Sequence, residues 1–298
     1  NRSPDDIARV LGTSRSNVSR MITSARTSGI VEIRIRDDGG RDPDLERALA
    51  ERFELAHVRV AAFRPGQDAP AAVGLVAAEW LDGTLRDGQI LAVSWGTTLQ
   101  AVVAAVAVEE PRRLEIVPLV GGMSTGTSLA AAHELVRELA VRLGATYRYL
   151  HGPALLRSEA ARDALLAEPS VGDVLTRARS ADIALVGIGS FASSSTAEVI
   201  DGVGLTPDQY AELVAKNPVG DTCCRFFDAE GRTVSSVIDG RVLAVELDDL
   251  RRIPTVVGVA CGTEKAAGVL AALRGGILRG LLTDARLARA VLLADGAR

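Results

Sequence analysis

From residue 44 onward, short runs rich in valine, isoleucine and leucine alternate with longer helical runs rich in alanine and leucine. Parallel strands need crossover connections, usually helices, so this alternation is typical of a parallel sheet. We therefore predict an α/β domain with a mostly parallel sheet and helices on both of its faces. The predicted strands lie at about 57-63, 89-95, 114-120, 145-150, 182-188, 255-261 and 280-283.

The segment around 221-246 interrupts this alternation. Apolar runs from Cys223 to Phe227, Thr233 to Val237 and Val242 to Val245 follow one another without a helical run, and the polar turn 228-231 separates the first two. Short strands joined by tight turns are typical of antiparallel pairing. We expect an antiparallel insertion in an otherwise parallel domain.

The first 36 residues show a different pattern, two short amphipathic helices separated by a glycine. The first helix has Pro4 near its start and ends at Gly12, which suits a left-handed C-terminal turn. Thr13-Ser14 offers an N-cap for a second helix from about Arg15 to Ser28. The second helix has apolar residues at helical spacing on one face, namely Val18, Met21, Ile22 and Ala25.

The polar side of the second helix carries side chains that suit DNA. Arginine can bind guanine or a phosphate, asparagine can pair with adenine, and serine can bind several bases. The alternating stretch from Ile30 to Arg36 resembles the wing strand of a winged helix. A plain helical hairpin is the alternative, but a glycine-containing turn followed by polar residues matches helix-turn-helix geometry. The predicted DNA contacts are Ser14, Arg15, Ser16, Asn17, Ser19 and Arg20.

The net charge of −4 is divided unevenly along the chain. Residues 1–36 hold seven arginines against three acidic residues, so the remainder is strongly acidic. A basic segment on an acidic body suits a DNA reader, because neutralisation of phosphates dominates non-specific affinity. The alternative is that the arginines form only a solvated surface.

The length of 298 residues suits one large domain and one small one. We expect a DNA-binding domain at 1-36, a polar and glycine-rich linker at 37-43, and a ligand-binding domain at 44-298. Because the first helix begins almost at once, the DNA-binding domain is expected to be partial, truncated at its N-terminus. No apolar run of membrane-spanning length and no secretory leader is seen, so we expect a cytoplasmic protein without a membrane partner.

The three cysteines, Cys223, Cys224 and Cys261, show no C-x-x-C spacing. A disulfide framework or a zinc site is therefore not indicated, and we interpret all three as small core residues. Neither a dinucleotide fingerprint nor a P-loop is present. We expect no cofactor and no metal.

Four of the predicted strands end in glycine-rich junctions, at 94-98, 118-126, 187-190 and 261-265. Ligands of such sheets bind beyond the carboxyl ends of the strands, where hydroxyls and free N–H groups at a helix start suit an anion. A single glycine there is more often just a tight turn. Four junctions at one edge predict a phosphate or polyhydroxyl site with Ser94, Gly96, Thr97, Thr98, Gly121, Gly122 and Gly189 as candidate residues.

Three charged residues are further candidates for this site. Lys265, beside Glu264, stands at a helix start, and Lys216 is the only other lysine in the chain. A solvated first helical turn is the alternative interpretation. Arg225 lies in an apolar run and needs a partner if it is buried, which an anionic ligand or an internal carboxylate could provide.

With these motifs placed, nearly the whole chain resembles the SorC family of sugar-responsive transcriptional regulators. The resemblance rests on the helix-turn-helix and on the segments Val93 to Leu99, Val117 to Gly122, Gly187 to Ser190 and Val257 to Ala266. It implies a Rossmann-like effector domain related to sugar-phosphate isomerases, a phosphorylated sugar or polyol as effector, and a homodimer or homotetramer on operator DNA.

The resemblance also implies roles for individual residues. Gly96, Thr97 and Thr98 would hold the effector phosphate, and Arg225, Glu264 and Lys265 would complete the pocket. Some members that bind bisphosphorylated sugars carry an arginine before the glycine pair, where this chain has Val120. That departure favours an effector with one phosphate.

An enzyme on the same sheet, such as a sugar-phosphate isomerase or deaminase, is the competing interpretation. The related enzyme motif continues after Gly187-Ile188-Gly189 with residues that handle protons. Here the run is Ser190-Phe191-Ala192, which offers no general acid or base that works near neutral pH. We therefore expect a binding protein and not an enzyme.

Overall fold

The computed structural model describes residues 4–27, 40–62, 66, 68–107, 111–123, 129–191 and 194–296. The chain divides into two compact units, Asn1–Asp38 and Gly39–Arg298. The division falls within the predicted linker 37-43. The second half of that stretch is part of the larger unit, because Arg41 pairs with Ala61 and Asp42 caps the next helix.

The smaller unit contains helices α1 (Pro4–Leu11) and α2 (Arg15–Thr27). Gly12 turns the chain at a φ of +61°, and the Ser14 hydroxyl accepts the N–H of Asn17, as expected of an N-cap. Val18 is buried, but Met21 is 59% exposed within this unit, so the predicted apolar face is only partly covered. The side chains of Ile22 and Ala25 and the predicted wing strand lie outside the described residues.

The larger unit is built on a parallel sheet, as predicted. The described part of the sheet has seven strands, which in chain order are β1 (His57–Ala61), β2 (Ile90–Val93), β3 (Glu115–Pro118), β4 (Thr146–Tyr147), β5 (Ile183–Gly187), β9 (Thr255–Ala260) and β10 (Gly280–Asp284). Their spatial order is β1-β10-β9-β5-β2-β3-β4, and every pairing among them is parallel.

Helices connect these strands. Alternate strand residues belong to two separate apolar clusters, as with Ala92 in one and Leu91 and Val93 in the other, so both faces of the sheet are covered. The helices are α3 (Pro43–Phe53), α4 (Ala69–Thr84), α5 (Thr97–Ala105), α6 (Leu129–Leu143), α7 (Glu159–Ala167), α8 (Pro169–Arg179), α9 (Ser194–Val203), α10 (Pro207–Ala215), α11 (Leu247–Arg252), α12 (Ala266–Arg274) and α13 (Ala285–Gly296). Among the described helices, none is long and apolar enough to cross a bilayer.

The path of the chain reverses at the centre of the sheet. After β2 it proceeds outward through β3 and β4, and it then returns to β5 on the other side of β2 and continues through β9 and β10. A topological switch point of this kind leaves a crevice beyond the carboxyl ends of the two central strands. The fold therefore places any ligand site next to the ends of β2 and β5.

The predicted insertion is antiparallel, although its strands differ from the expected ones. It contains β6 (Gly189–Ser190), β7 (Gly220–Thr222) and β8 (Arg225–Phe227) in that spatial order. Cys223 and Cys224 form the turn between β7 and β8 and do not belong to a strand, with φ angles of 51° and 60°. The other two predicted strands are reduced to isolated bridges at Thr233, Val242 and Ala244.

Candidate functional site

A cavity of about 150 Å³ lies at the switch point. The four glycine-rich junctions follow β9, β5, β2 and β3, which are consecutive neighbours in the sheet, so they meet at one edge as predicted. Each junction contributes to the cavity, and the insertion closes part of it. The lining residues are Ser94, Trp95, Gly96, Thr97, Thr98, Leu99, Gln100, Val120, Met123, Gly187, Ile188, Gly189, Val199, Asp221, Cys223, Cys224, Val259 and Lys265.

The junction after β2 presents a helix start to the cavity. Gly96 is the residue before α5, and its φ of +144° is one that side-chain-bearing residues rarely adopt. A Cβ at Gly96 would meet no protein atom within 4 Å, so the space over it is open. The first amides of a helix have no partner within the helix, and they attract anions. Gly96, Thr97 and Thr98 therefore form a surface suited to a phosphate.

Ser94 and Trp95 hold this junction in place. The Ser94 hydroxyl accepts the N–H of Gly187 at 2.9 Å, which joins the ends of β2 and β5. The Trp95 indole donates to the carbonyl oxygen of Gly121 at 3.1 Å. Both bonds cross between junctions, so the shape of the cavity is fixed by the protein itself.

The glycine pair Gly121-Gly122 is not among the lining residues, although Val120 beside it is. A Cβ on Gly121 would lie 2.7 Å from the carbonyl oxygen of Gly152. Gly122 donates its N–H to the same oxygen and accepts from Ala154. Gly121 thus permits close packing of two backbone segments, and neither glycine is among the residues that line the cavity.

Gly189 lines the cavity beside a carboxylate that the sequence analysis missed. A Cβ on Gly189 would lie 2.0 Å from Oδ1 of Asp221, so no larger residue fits there. The Thr196 hydroxyl donates to the same oxygen at 2.7 Å. Burial raises the pKa of Asp221 to about 6, even though the Thr196 hydrogen bond and the charge of Lys265 lower it. In the sequence, the feature that could have pointed to Asp221 is an acidic residue within the largely apolar stretch 219–227.

Lys265 is the one cation among the described residues that line the cavity. Its charge acts on Asp221 and on Cys261, whose thiol lies 3.5 Å from the Thr98 hydroxyl at the start of α5. The predicted partner Glu264 is exposed and does not line the cavity; its carboxylate lies over Gly262 instead. Lys265 therefore supplies the positive charge among the described lining residues of this cavity.

Arg225 is 1% exposed and is not a lining residue. Its guanidinium donates to Glu246 at 2.6 Å, to the Asp239 carboxylate at 3.3 Å and to the carbonyl oxygens of Asp239 and Val242. Of the two partners considered for a buried arginine, the structure thus provides internal carboxylates. Burial raises the pKa of Glu246 more than the adjacent Arg225 lowers it.

The three cysteines are buried and free, in agreement with the expectation of small core residues. Burial raises the pKa of Cys223 to about 12 and that of Cys224 well above its ordinary value. These thiols therefore stay protonated at neutral pH and behave as apolar groups. The described part of the chain contains no group of three or more side chains that could hold a metal.

In the smaller unit, one of the six predicted DNA contacts, Ser14, directly precedes α2 and the other five lie in its first two turns, and all six are exposed. Asn17 bridges two neighbours, because its amide donates to the Thr13 hydroxyl at 3.0 Å and accepts from Arg20 at 3.0 Å. Arg20 is thus oriented by a local hydrogen bond before any DNA is bound. The geometry is that of a helix whose first turns present arginine and asparagine.

Comparison with known proteins extends over nearly the whole chain. The family model described as "Putative sugar-binding domain" matches residues 39–293. The transcriptional regulator LsrR of Enterobacter sp. (strain 638) is 33% identical over 294 residues, which are 98% of this chain and 88% of that protein. The deoxyribonucleoside regulator of Bacillus subtilis is 30% identical over 293 residues, which are 97% of this chain and 92% of that protein.

A solved structure agrees with these matches. The full-length sorbitol operon regulator SorC from Klebsiella pneumoniae superposes with a TM-score of 0.82 at 30% identity, covering 98% of this chain and 94% of that one. The family model and these relatives together leave little of the chain unmatched. The protein belongs to the SorC family of sugar-responsive transcriptional regulators.

Proposed function

We propose that this regulator binds operator DNA through α2 and that a phosphorylated sugar or polyol in the cavity controls this binding. The observation that carries the proposal is a helix start, a left-handed glycine and a lysine facing one cavity at the switch point of the sheet. A helix N-terminus and a cation together suit a phosphate, and the hydroxyls of Ser94, Thr97 and Thr98 suit a polyol. The names of the relatives, which include sorbitol and deoxyribonucleoside regulators, support control by a small carbohydrate.

The effector phosphate is proposed to lie on Gly96, Thr97 and Thr98, with Lys265 as its counter-charge. The attraction of a helix terminus alone contributes about 0.3 to 2 kcal/mol, so tight binding needs the cation. Because Arg225 is paired internally, it is no longer assigned to the phosphate. We also propose that the larger unit binds its ligand without turnover, and that the protein acts on DNA as a homodimer or homotetramer, as the family resemblance implies.

A thermal-shift panel of sugar phosphates and their unphosphorylated sugars tests this proposal. A ligand present at about 100 times its dissociation constant should add about 2.7 kcal/mol of stability, and only phosphorylated ligands should do so. Lys265→Ala should weaken binding on the order of 10- to 100-fold, the loss of one charge-assisted hydrogen bond.

Lys216→Ala is the matched control. Lys216 is the only other lysine of the chain, and it binds Glu212 and the carbonyl oxygen of Ser235 away from the cavity. Its replacement should leave the ligand shift unchanged. Equal shifts with unphosphorylated sugars, or equal effects of the two lysine replacements, would contradict the proposal.

A further inference from the structure

The turn that places Lys265 at the cavity is held by a carboxylate from the neighbouring strand. We call this turn, the 3-10 helix Thr263–Lys265, the lysine turn; it follows Gly262, whose φ of +94° favours glycine. Asp284 is the last residue of β10, and it is 3% exposed. Its Oδ2 atom accepts the N–H of Gly262 at 2.9 Å. The position of the lysine turn therefore depends on this buried carboxylate.

The other oxygen of Asp284 caps α13. Its Oδ1 atom accepts the N–H groups of Arg286 at 2.8 Å and of Leu287 at 3.1 Å. Amides in the first turn of a helix have no partner within the helix, so a capping carboxylate fixes the helix start. Because both oxygens belong to one planar group, a shift of Gly262 moves the carboxylate relative to α13 or breaks a hydrogen bond. Asp284 thus joins the lysine turn to α13.

One turn further along, α13 binds a second aspartate. The Arg289 guanidinium donates to Oδ2 of Asp42 at 3.1 Å. The Oδ1 atom of Asp42 accepts the N–H of Leu45 at 3.1 Å and caps α3. α13 therefore connects two capping carboxylates, one beside the lysine turn and the other at residue 42.

Asp42 belongs to the stretch through which the larger unit is attached to the smaller one. We call residues 40–42 the joint; they are the first described residues after the smaller unit. Ala62 donates its N–H to the carbonyl oxygen of Gly40 at 2.8 Å, and Asp42 donates to that of Val60 at 2.9 Å. The joint is thus paired with the end of β1, an edge strand. A short edge pairing of this kind can open without unfolding the sheet, so the joint has a paired and a released state.

Side chains stabilise the paired state of the joint from two directions. Arg41 within the joint donates to Glu46 of the adjacent α3 at 2.9 Å, which is a local contact. Arg289 binds Asp42 from α13, whose start is capped by Asp284. The contact between Arg289 and Asp42 is therefore the one that connects the joint with the lysine turn.

We propose that Asp284 is a positioning residue that couples the lysine turn to the joint. An anion bound by Lys265 displaces the lysine turn, and Asp284, α13 and Arg289 transmit the displacement to the joint. A ligand whose affinity differs between the paired and the released joint shifts the balance between these states, and the coupling is reciprocal. The inference rests on the proposed function, because it takes Lys265 to bind the effector. It adds the residues that connect the cavity with the attachment of the DNA-binding unit.

Hydrogen–deuterium exchange of the full chain without ligand tests the coupling from both ends. Asp284→Asn removes one acceptor oxygen beside the lysine turn and should speed exchange of the Asp42 and Ala62 amides at the joint. Arg289→Ala changes the joint end and should speed exchange of the Gly262 amide, although Arg289 is not among the described residues that line the cavity. Coupling energies across such networks correspond to about 2- to 30-fold in an equilibrium constant, and the changes in exchange should fall in that range.

Arg47→Ala is the matched control, because Arg47 is an exposed arginine of α3 that pairs with Asp44 in the same helix. It should leave exchange at the lysine turn unchanged. The amides of β5, which has neighbours on both sides in the sheet, report global stability. Unchanged exchange at the lysine turn in Arg289→Ala, an equal change in Arg47→Ala, or a uniform increase that includes β5 would overturn the inference. Because Arg289 is exposed, its variant decides the test even where Asp284→Asn does not fold.

The same measurement with a sugar phosphate tests the transmission of binding. Ribose 5-phosphate and glucose 6-phosphate are the probes, and a probe that stabilises the wild-type protein should slow exchange at the lysine turn and alter it at the joint. In Arg289→Ala the effect at the lysine turn should remain, and the effect at the joint should disappear. An effect at the joint that survives Arg289→Ala would overturn the route through α13.

The outcomes separate this inference from the proposed function. If sugar phosphates stabilise the protein but the lysine turn and the joint exchange independently, the proposed function stands and the coupling is wrong. If the two ends are coupled but no phosphorylated member of the thermal-shift panel binds, the coupling stands and the proposed function fails.

Discussion

Asp221 and Arg225 lie on the same hairpin, but they differ in the side chains that bind their charges. Arg225 has two carboxylates within 3.3 Å, whereas the described partner of the Asp221 carboxylate is the neutral Thr196 hydroxyl. Both residues looked alike in the sequence, as single charges in an apolar run. Whether each charge faces a ligand depends on the side chain that it contacts. The partner of Asp221 is Thr196 and that of Arg225 is Glu246, and both partners lie far from the hairpin in the sequence.

The buried Asp221 predicts a pH-dependent stability. Its pKa is raised from 3.8 to about 6 in the folded state, so the folded protein holds this proton more tightly than the unfolded chain. The contribution of Asp221 is therefore most favourable below about pH 4 and is lost as the pH rises through about 6. Asp221→Asn should raise the unfolding free energy at pH 7 by on the order of 3 kcal/mol, with the gain vanishing near pH 4.

Denaturant titrations of the ligand-free protein between pH 4 and pH 7 measure this effect. Asp228→Asn is the control with the opposite sign, because hydrogen bonds from the backbone N–H groups of Arg232 and Glu230 and from the Arg232 guanidinium outweigh partial burial and lower the pKa of the Asp228 carboxyl. Its replacement should destabilise the protein at pH 7 and to a similar extent at pH 4, because a carboxyl with a lowered pKa stays ionised across this range. A gain from Asp221→Asn that does not depend on pH would show that the buried charge is not its cause.

At the scale of elements, the sequence located all seven parallel strands to within a few residues. Buried parallel strands are nearly continuous apolar runs bounded by helices, which makes them easy to recognise. The same rule failed at Cys223-Cys224, because two thiols in an apolar run look like strand residues although they form a turn. The glycine at position 121 illustrates a different ambiguity, because close packing against the backbone of Gly152 gives the same sequence signal as a ligand site.

The helix-turn-helix element leads to a prediction about DNA. In a form of the protein that binds its operator, replacing Arg15, Asn17 and Arg20 together with alanine should abolish sequence-specific binding. Loss of a base-reading arginine costs about 1 to 3 kcal/mol, and Asn17 orients Arg20 in addition. Operator titrations at fixed salt measure the loss, with Lys216→Ala, which removes one positive charge from the other unit, as a control. Unchanged operator affinity in the triple variant would refute the assignment of α2.

At the scale of the whole molecule, the order of the strands determines where the site lies. Alternating strands and helices predicted a parallel sheet, but they did not fix the order β1-β10-β9-β5-β2-β3-β4. That order places four junctions side by side and puts the reversal of the chain between β2 and β5. The insertion and Asp221 could not be assigned to the site in advance, because their position depends on how β6–β8 fold over the strand ends.

The central claim is that a sugar phosphate binds at this switch point with its phosphate on the start of α5. A crystal structure of the protein with the tightest-binding phosphorylated ligand tests it most directly. The account predicts the phosphate within hydrogen-bonding distance of the amides or hydroxyls of Thr97 and Thr98, with Lys265 as its cationic partner. A phosphate more than one water layer from Thr97 and Thr98, or bound elsewhere in the larger unit, would contradict the account.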